Sequence, residues 1–253
     1  MHDLFHRHAA APVTSTDLST DIASQAALAD VFRCRRRHVL AIVPAVLLGL
    51  GLPRWAGASA LEEFFIAVKL NDDSTVKKFL QRGFDPNTVE PDRGDSGLIL
   101  ALREDAFKVV DVLIAAKGAD LEIKAHNGDN ALMIAAYRGN LKAVNDLLAK
   151  GAELNRPGWT ALHYAASVGR NDIVQVLLDN AAYIDAGSAN GITPMMMAAR
   201  DGHILTIKLL LDEGADATLR NSAGMLAIDF ARMNNHKDIV EGLTYRLQKA
   251  GKS

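Results

Sequence analysis

The feature that most constrains this sequence is a short segment that recurs with a period of roughly 33 residues. The heptapeptide TALHYAA, at residues 160–166, aligns with NALMIAA, TPMMMAA and LAIDFAR, and more loosely with SGLILAL. The third position of each copy is apolar: Leu98, Leu132, Leu162, Met195 and Ile228. A divergent first copy begins at Phe64, about one period before Leu98. Such a chain is expected to fold as a stack of similar units, each contacting only its neighbours.

A second motif follows in four of the copies: VVDVLIAAKGAD, AVNDLLAKGAE, IVQVLLDNAAY and TIKLLLDEGAD. The pattern T-P-L-H-x-A-A followed by L-L-x-x-G-A-D resembles the ankyrin repeat, and the resemblance covers residues 61–243. It implies an all-α fold, an ankyrin-repeat solenoid of about six helix–turn–helix copies with short, β-hairpin-like finger loops.

The helix ends in this pattern have a physical explanation. Thr160 and Thr193 suit N-caps, and Pro194 suits the first helical position, where no N–H is needed. Three glycines follow the second helices, where a left-handed residue ends a helix: Gly118, Gly151 and Gly214. The fourth copy has Ala181 at this position. We expect a weaker turn there, with part of the strain taken up by Asn180.

One finger loop is short. Six residues separate Gly151 from Gly158, whereas the other junctions have nine or ten. This finger is predicted to be stunted by three residues, leaving a notch near the middle of the surface.

The N-terminal part predicts export. In residues 33–60, four arginines precede an apolar run that spans residues 39–52, and Ala58-Ser59-Ala60 supplies an A-x-A pattern. These parts in this order are typical of a signal peptide, here predicted to be cleaved near Ala60. The apolar run would form a helix of roughly 21 Å, short of the roughly 30 Å hydrocarbon core. Arg36-Arg37 leaves open whether export is of the general secretory or the twin-arginine type.

The remaining boundaries follow from composition. Residues 1–32 form a poorly patterned extension, which suggests a mis-assigned start codon, and residues 244–253 are predicted to be a polar C-terminal tail. Net charge is −2, with no long run of one sign after residue 37, which argues against nucleic acid or an anionic membrane as partner. Cys34 is the single cysteine, which excludes a disulfide framework. We expect a monomer with no stable membrane insertion after cleavage.

Partner-contacting residues are implied by the resemblance. Ankyrin arrays bind proteins through finger tips and a concave face lined by the first helices. The positions that vary for contact lie after the turn glycine and after the paired alanines; here they give Asp129, Trp159, Ile192, Met225, Tyr137, Arg138, Val168, Arg200 and Asp201. Trp159, Ile192 and Met225 fall on consecutive copies and should form an apolar strip beside the notch. The alternative is that Trp159 only covers the shortened finger.

Other chemistry is weakly indicated. His163 matches the family's structural histidine, and the remaining histidines of the repeats lack metal-ligand spacing. Met195–Met197 suggests oxidant scavenging or, more simply, core packing. No hydrolase, nucleotide-binding or zinc-protease motif is present after residue 60. We therefore expect no enzyme activity, no cofactor and no metal.

The sequence thus predicts a non-enzymatic module that binds a protein partner in the periplasm or outside the cell. Two alternatives remain open: a chaperone-like or protective accessory of a secreted enzyme, and a secreted effector directed at a host.

Overall fold

The computed structural model describes residues 59–249, and the predicted N-terminal extension (1–32) and almost all of the predicted signal peptide (33–60) lie outside this range. Within it the chain forms twelve helices in six consecutive pairs. The pairs are α1 Ala60–Lys69 and α2 Asp73–Gln81, α3 Gly97–Arg103 and α4 Phe107–Ala115, α5 Ala131–Arg138 and α6 Leu141–Ala149, α7 Ala161–Ser167 and α8 Asn171–Asp179, α9 Pro194–Asp201 and α10 Ile204–Asp212, α11 Ala227–Met233 and α12 Lys237–Lys249.

The pairs stack in chain order. The first helix of each pair packs against the first helices of the neighbouring pairs, and second helices pack against second helices from α2 to α10. This two-layer arrangement is the all-α solenoid that the repeat period predicts. Residues 244–249, the start of the predicted polar tail, continue helix α12.

The repeated apolar positions build the core. Leu98, Leu132, Leu162, Met195 and Ile228 are each at most 5% exposed. Ala135, Ala165 and Ala198 are fully buried on α5, α7 and α9, where a larger side chain would hold the neighbouring helix away. The core is one cluster that runs through all six pairs, as expected when each unit completes the burial of the next.

Aromatic residues concentrate in the first pair. The Phe64 ring is fully buried and stacks on Phe84 with centroids 4.5 Å apart. Phe65 and Phe79 meet the same ring edge-on, at 5.3 and 5.8 Å. Phe64 occupies the place predicted for the anchor of the divergent first copy.

The predicted helix starts are present. The Thr193 hydroxyl accepts a hydrogen bond from the Met196 amide (3.3 Å), and Pro194 is the first helical residue. Thr160 is the N-cap of α7, and there the amide of Thr160 donates to Nδ1 of His163 (3.2 Å). The His163 side chain therefore closes the start of its own helix.

Left-handed residues end the second helices at the predicted glycines, as at Gly151 with φ +85°. In the fourth copy Ala181 itself adopts φ +66°, while Asn180 stays at φ −92°. The strain therefore falls on Ala181, and Asn180 instead donates a side-chain hydrogen bond to the Val176 carbonyl (2.8 Å).

The fingers are turns; no strand occurs in residues 59–249, where the single isolated bridge joins Val89 to Ser96. Four fingers are closed by a backbone hydrogen bond across their tips, from Glu90 to Asp95, from Ala125 to Asp129, from Ser188 to Ile192 and from Asn221 to Met225. Bonds from His126 to Arg93 and from Ser222 to Asn190 join adjacent fingers.

Candidate protein-binding surface

The surface predicted to bind a partner lies on the finger side, where the residue after each turn glycine precedes a first helix. Trp159, Ile192 and Met225 occupy this position before α7, α9 and α11, and each is half-buried. Ile192 and Met225 pack partly against the core. The three residues therefore keep an exposed part on consecutive copies, which an apolar strip requires.

Trp159 is tied to its neighbour copy through His163. The indole meets the imidazole edge-on, with ring centroids 5.1 Å apart. On its other side the imidazole Nε2 donates to the Ile192 carbonyl (2.8 Å). Because Nδ1 accepts from the Thr160 amide, the ring is a neutral tautomer with its proton on Nε2.

Burial maintains that neutral state. His163 is fully inaccessible, and desolvation lowers its pKa to about 4 despite the hydrogen bond to Ile192. The base of the Trp159–Ile192 surface is therefore uncharged at neutral pH.

Asp129 is a correction to the predicted set, because it is 2% exposed and cannot face a partner. Its carboxylate accepts from Nη2 of Arg103 (3.1 Å) and from the Asn127 side-chain amide (2.7 Å), and also from the Tyr164 hydroxyl. In this position the carboxylate holds three copies together.

Arg103 links two buried carboxylates. Its guanidinium lies 3.1 Å from Asp95 on one side and 3.1 Å from Asp129 on the other, and its side chain is 6% exposed. Desolvation raises the pKa of Asp95, against the attraction of Arg103 and Arg93. We call Asp95, Arg103, Asp129 and Tyr164 the buried polar chain.

The buried polar chain was not predicted from the sequence. Asp95 and Asp129 follow a turn glycine in successive copies, and that recurrence was the available signal. Burial raises the pKa of Tyr164 above its ordinary value, and so does the negative charge of Asp129, whose carboxylate accepts a hydrogen bond from the Tyr164 hydroxyl. The phenol therefore remains protonated and acts as a donor.

The residues after the alanines are half-buried except for Asp201, which is exposed, and most of them are paired. The Tyr137 ring meets Tyr164 edge-on at 6.2 Å. Arg138 forms an ion pair with Asp105 of the preceding copy, and Arg200 binds both carboxylate oxygens of Asp201, at 3.0 and 2.8 Å. Val168, the C-cap residue of α7, is half-buried.

The turn histidines join neighbouring copies. Nε2 of His203 donates to the Ser167 carbonyl and Nε2 of His236 to the Arg200 carbonyl, each at 3.0 Å. A Cβ at Gly169 would lie 2.6 Å from the His203 ring, so this position needs glycine both for its left-handed backbone and for the close approach.

Within residues 59–249, no group of three or more His, Cys, Asp or Glu side chains could hold a metal ion. No helix in the same range is long and apolar enough to cross a membrane. Met195, Met196 and Met197 are at most 8% exposed, which favours core packing over oxidant scavenging.

Comparison with protein families gives a match to the model described as ankyrin repeats (3 copies), over residues 64–157, 98–188 and 182–251. Among curated proteins, the chain is 33% identical to SH3 and multiple ankyrin repeat domains protein 2 of Homo sapiens over 176 residues, which is 68% of this chain and 10% of that protein. It is 30% identical to the Nuclear factor NF-kappa-B p105 subunit of Mus musculus over 160 residues, 60% of this chain and 16% of that protein.

A third relative, Protein fem-1 homolog A-like of Mus musculus, is 36% identical over 104 residues, 40% of this chain and 16% of that protein. The chain thus spans between a tenth and a sixth of the length of these relatives. The similarity lies in the repeats.

Proposed function

Because this chain belongs to the ankyrin-repeat family, we propose that it is a non-enzymatic module that binds one folded protein partner on its finger-side surface. Ankyrin repeats generally mediate protein–protein interaction. The observation that carries the proposal is the row formed by Trp159, Ile192 and Met225, which stay partly exposed on three consecutive copies. Aromatic and apolar anchors at the centre of a surface commonly dominate binding energy.

The remaining predicted contacts fit a polar rim around this row. Arg138 and Arg200 are each engaged with an acidic neighbour, and their side chains are 26% and 28% exposed. Rim charges of this kind adjust association rate and partner choice more than affinity. Tyr137, Val168 and Asp201 complete the proposed contact set, and Asp129 is removed from it because it is buried.

We place this activity in the periplasm or outside the cell. Support comes from the sequence alone: the arginines, the apolar run and the A-x-A pattern of residues 33–60. Cleavage after Ala60 would fall in the first turn of α1 and remove Ser59, which accepts a hydrogen bond from the Glu62 amide (3.3 Å). Fractionation of cells that produce the full chain, with N-terminal sequencing of the mature form, tests this location.

Two other roles share the same fold. A chaperone-like or protective accessory of a secreted enzyme would bind unfolded clients broadly, and an effector directed at a host would occur in the culture medium or the host cell. The hydrogen bonds of His163 to Thr160 and Ile192 fix this surface in one conformation, which favours one folded partner, because a pre-formed surface loses little entropy on binding.

The test is affinity capture from extract with the full chain and with Trp159→Ala. We expect one protein enriched by the wild type and lost with the variant, since truncating a central aromatic anchor costs roughly 2 kcal/mol or more of binding energy. Leu205→Ala is the matched control, because Leu205 is 67% exposed on α10, in the layer of second helices. Capture that survives in Trp159→Ala, together with a large fall in melting temperature, would assign Trp159 to the cover of the short finger.

A further inference from the structure

Arg156, in the shortened loop between α6 and α7, carries a charge that its surroundings do not satisfy. Its side chain is 8% exposed, and its Nη1 is buried without a hydrogen-bond partner. A guanidinium has five N–H donors, and a buried cation without hydrogen bonds is costly. A bound anion would stabilise such a group.

The nearest acid does not supply it. Oε2 of Glu122 lies 4.0 Å from Nη1 of Arg156, beyond hydrogen-bond distance. Both oxygens of Glu122 are already used: Oε1 accepts from the Glu153 amide (2.8 Å) and Oε2 from the Asn130 side-chain amide (3.2 Å). Glu122 therefore compensates the charge in part and leaves Nη1 of Arg156 without an acceptor.

The loop that carries Arg156 is held by hydrogen bonds in its first part only. Residues 153–159 take part in no backbone–backbone hydrogen bond among the described residues, whereas the other three fingers after α4 are each closed across the tip. The Glu153 amide donates to Glu122, and the Asn155 side chain bonds to the Ala181 carbonyl and the Tyr183 amide, each at 2.8 Å. The backbone of residues 156–159 takes part in no hydrogen bond among the described residues, so this part opens at a lower cost and can present the guanidinium.

We propose, on the premise that the chain is a protein-binding module, that this loop receives a carboxylate side chain of the partner at Arg156, beside an apolar group resting on Trp159. Trp159 lies three residues after Arg156 and is half-buried. An acidic residue next to an aromatic or aliphatic one is the partner chemistry that fills both. A bidentate carboxylate supplies the planar acceptor that a guanidinium prefers.

The test uses phenylacetate as the probe and its neutral analogue phenylacetamide as the matched ligand, titrated into the full chain. The readout is the indole N–H resonance of Trp159 in a nitrogen–proton NMR spectrum, one of two tryptophan indoles in the chain, identified by its loss in Trp159→Phe. We expect saturable shifts with phenylacetate and a dissociation constant on the order of millimolar, and at least about tenfold weaker binding of the amide.

Arg156→Gln should abolish the preference for the carboxylate, and Arg82→Gln, at an exposed arginine after α2, should keep it. Equal responses to the two ligands in the wild type would overturn the inference, without reliance on any variant that fails to fold. A preference retained by Arg156→Gln would also overturn it.

The capture experiment and the titration together distinguish a failure of the proposed function from a failure of this inference. A partner captured through Trp159, with no carboxylate preference in the titration, would overturn this inference alone. A clear carboxylate preference combined with capture that does not depend on Trp159 would support the site and contradict the proposed protein-binding surface.

Discussion

His163 joins the start of its helix to the next copy, and it can do so only while it is uncharged. Nδ1 accepts from the Thr160 amide and Nε2 donates to the Ile192 carbonyl. Protonation would turn the acceptor into a donor facing another donor, inside a site with no water-exposed surface. The lowered pKa of His163 follows from this burial.

The free energy of unfolding should therefore depend on pH. The pKa of His163 is about 4 in the folded chain and near 6.5 when unfolded, so between these values the unfolded chain binds the extra proton. Stability is fully present above pH 6.5 and falls as the pH drops towards 4, by roughly 2–4 kcal/mol. Urea unfolding at several pH values measures this loss.

His163→Gln supplies the control for that measurement, because it retains a donor and an acceptor without a titrating proton. The difference between wild type and variant separates His163 from carboxyls such as Asp95 and Asp185, whose raised pKa values give the opposite slope. The same pH dependence in both proteins would contradict the account.

At the scale of one helix and its turn, the end of α8 differs from the other second helices. Ala181 occupies a left-handed conformation that costs a residue with a Cβ about 1–2 kcal/mol. The sequence predicted the departure but assigned part of the strain to Asn180. Asn180 lacks it because its backbone remains in an ordinary helix-capping conformation and its side chain bonds to Val176.

Ala181→Gly should raise the free energy of unfolding by about 0.5–1 kcal/mol, since the relief of left-handed strain exceeds the added chain entropy of glycine. Thermal and urea unfolding measure the gain. Gly151→Ala is the inverse change at the equivalent turn, where φ is +85° and a Cβ would meet no atom within 4 Å. It should lose about 1 kcal/mol, and a gain there or a loss at Ala181→Gly would contradict the explanation.

Packing between neighbouring copies explains why Asp129 is buried and does not face a partner as predicted. Asp129 and Trp159 occupy the same position in their copies, so the repeat pattern treats them alike. Their burial differs because Asp129 is flanked by Arg103, 26 residues before it, and Tyr164, 35 residues after it. The position of a residue in the repeat motif predicts its place within its own copy. The side chains that surround it come from neighbouring copies, and the motif does not specify them.

For the molecule as a whole, the repeat period was enough to predict the stack. The anchors that recur once per period are buried, and the predicted turn glycines adopt left-handed conformations, because both follow from contacts that recur in every copy. The buried polar chain and the unsatisfied charge of Arg156 occur once. They depend on which side chains meet between copies and on a loop three residues short, so the period could not reveal them.

The measurement that most directly tests the protein-binding surface is hydrogen–deuterium exchange of the full chain with and without the captured partner. The account predicts slower exchange in the finger loops 152–160, 186–192 and 219–226, with α8 and α10 unchanged. These loops carry Trp159, Ile192 and Met225, whereas α8 and α10 belong to the layer of second helices. Protection confined to α8 and α10, with the three loops unaffected, would contradict it.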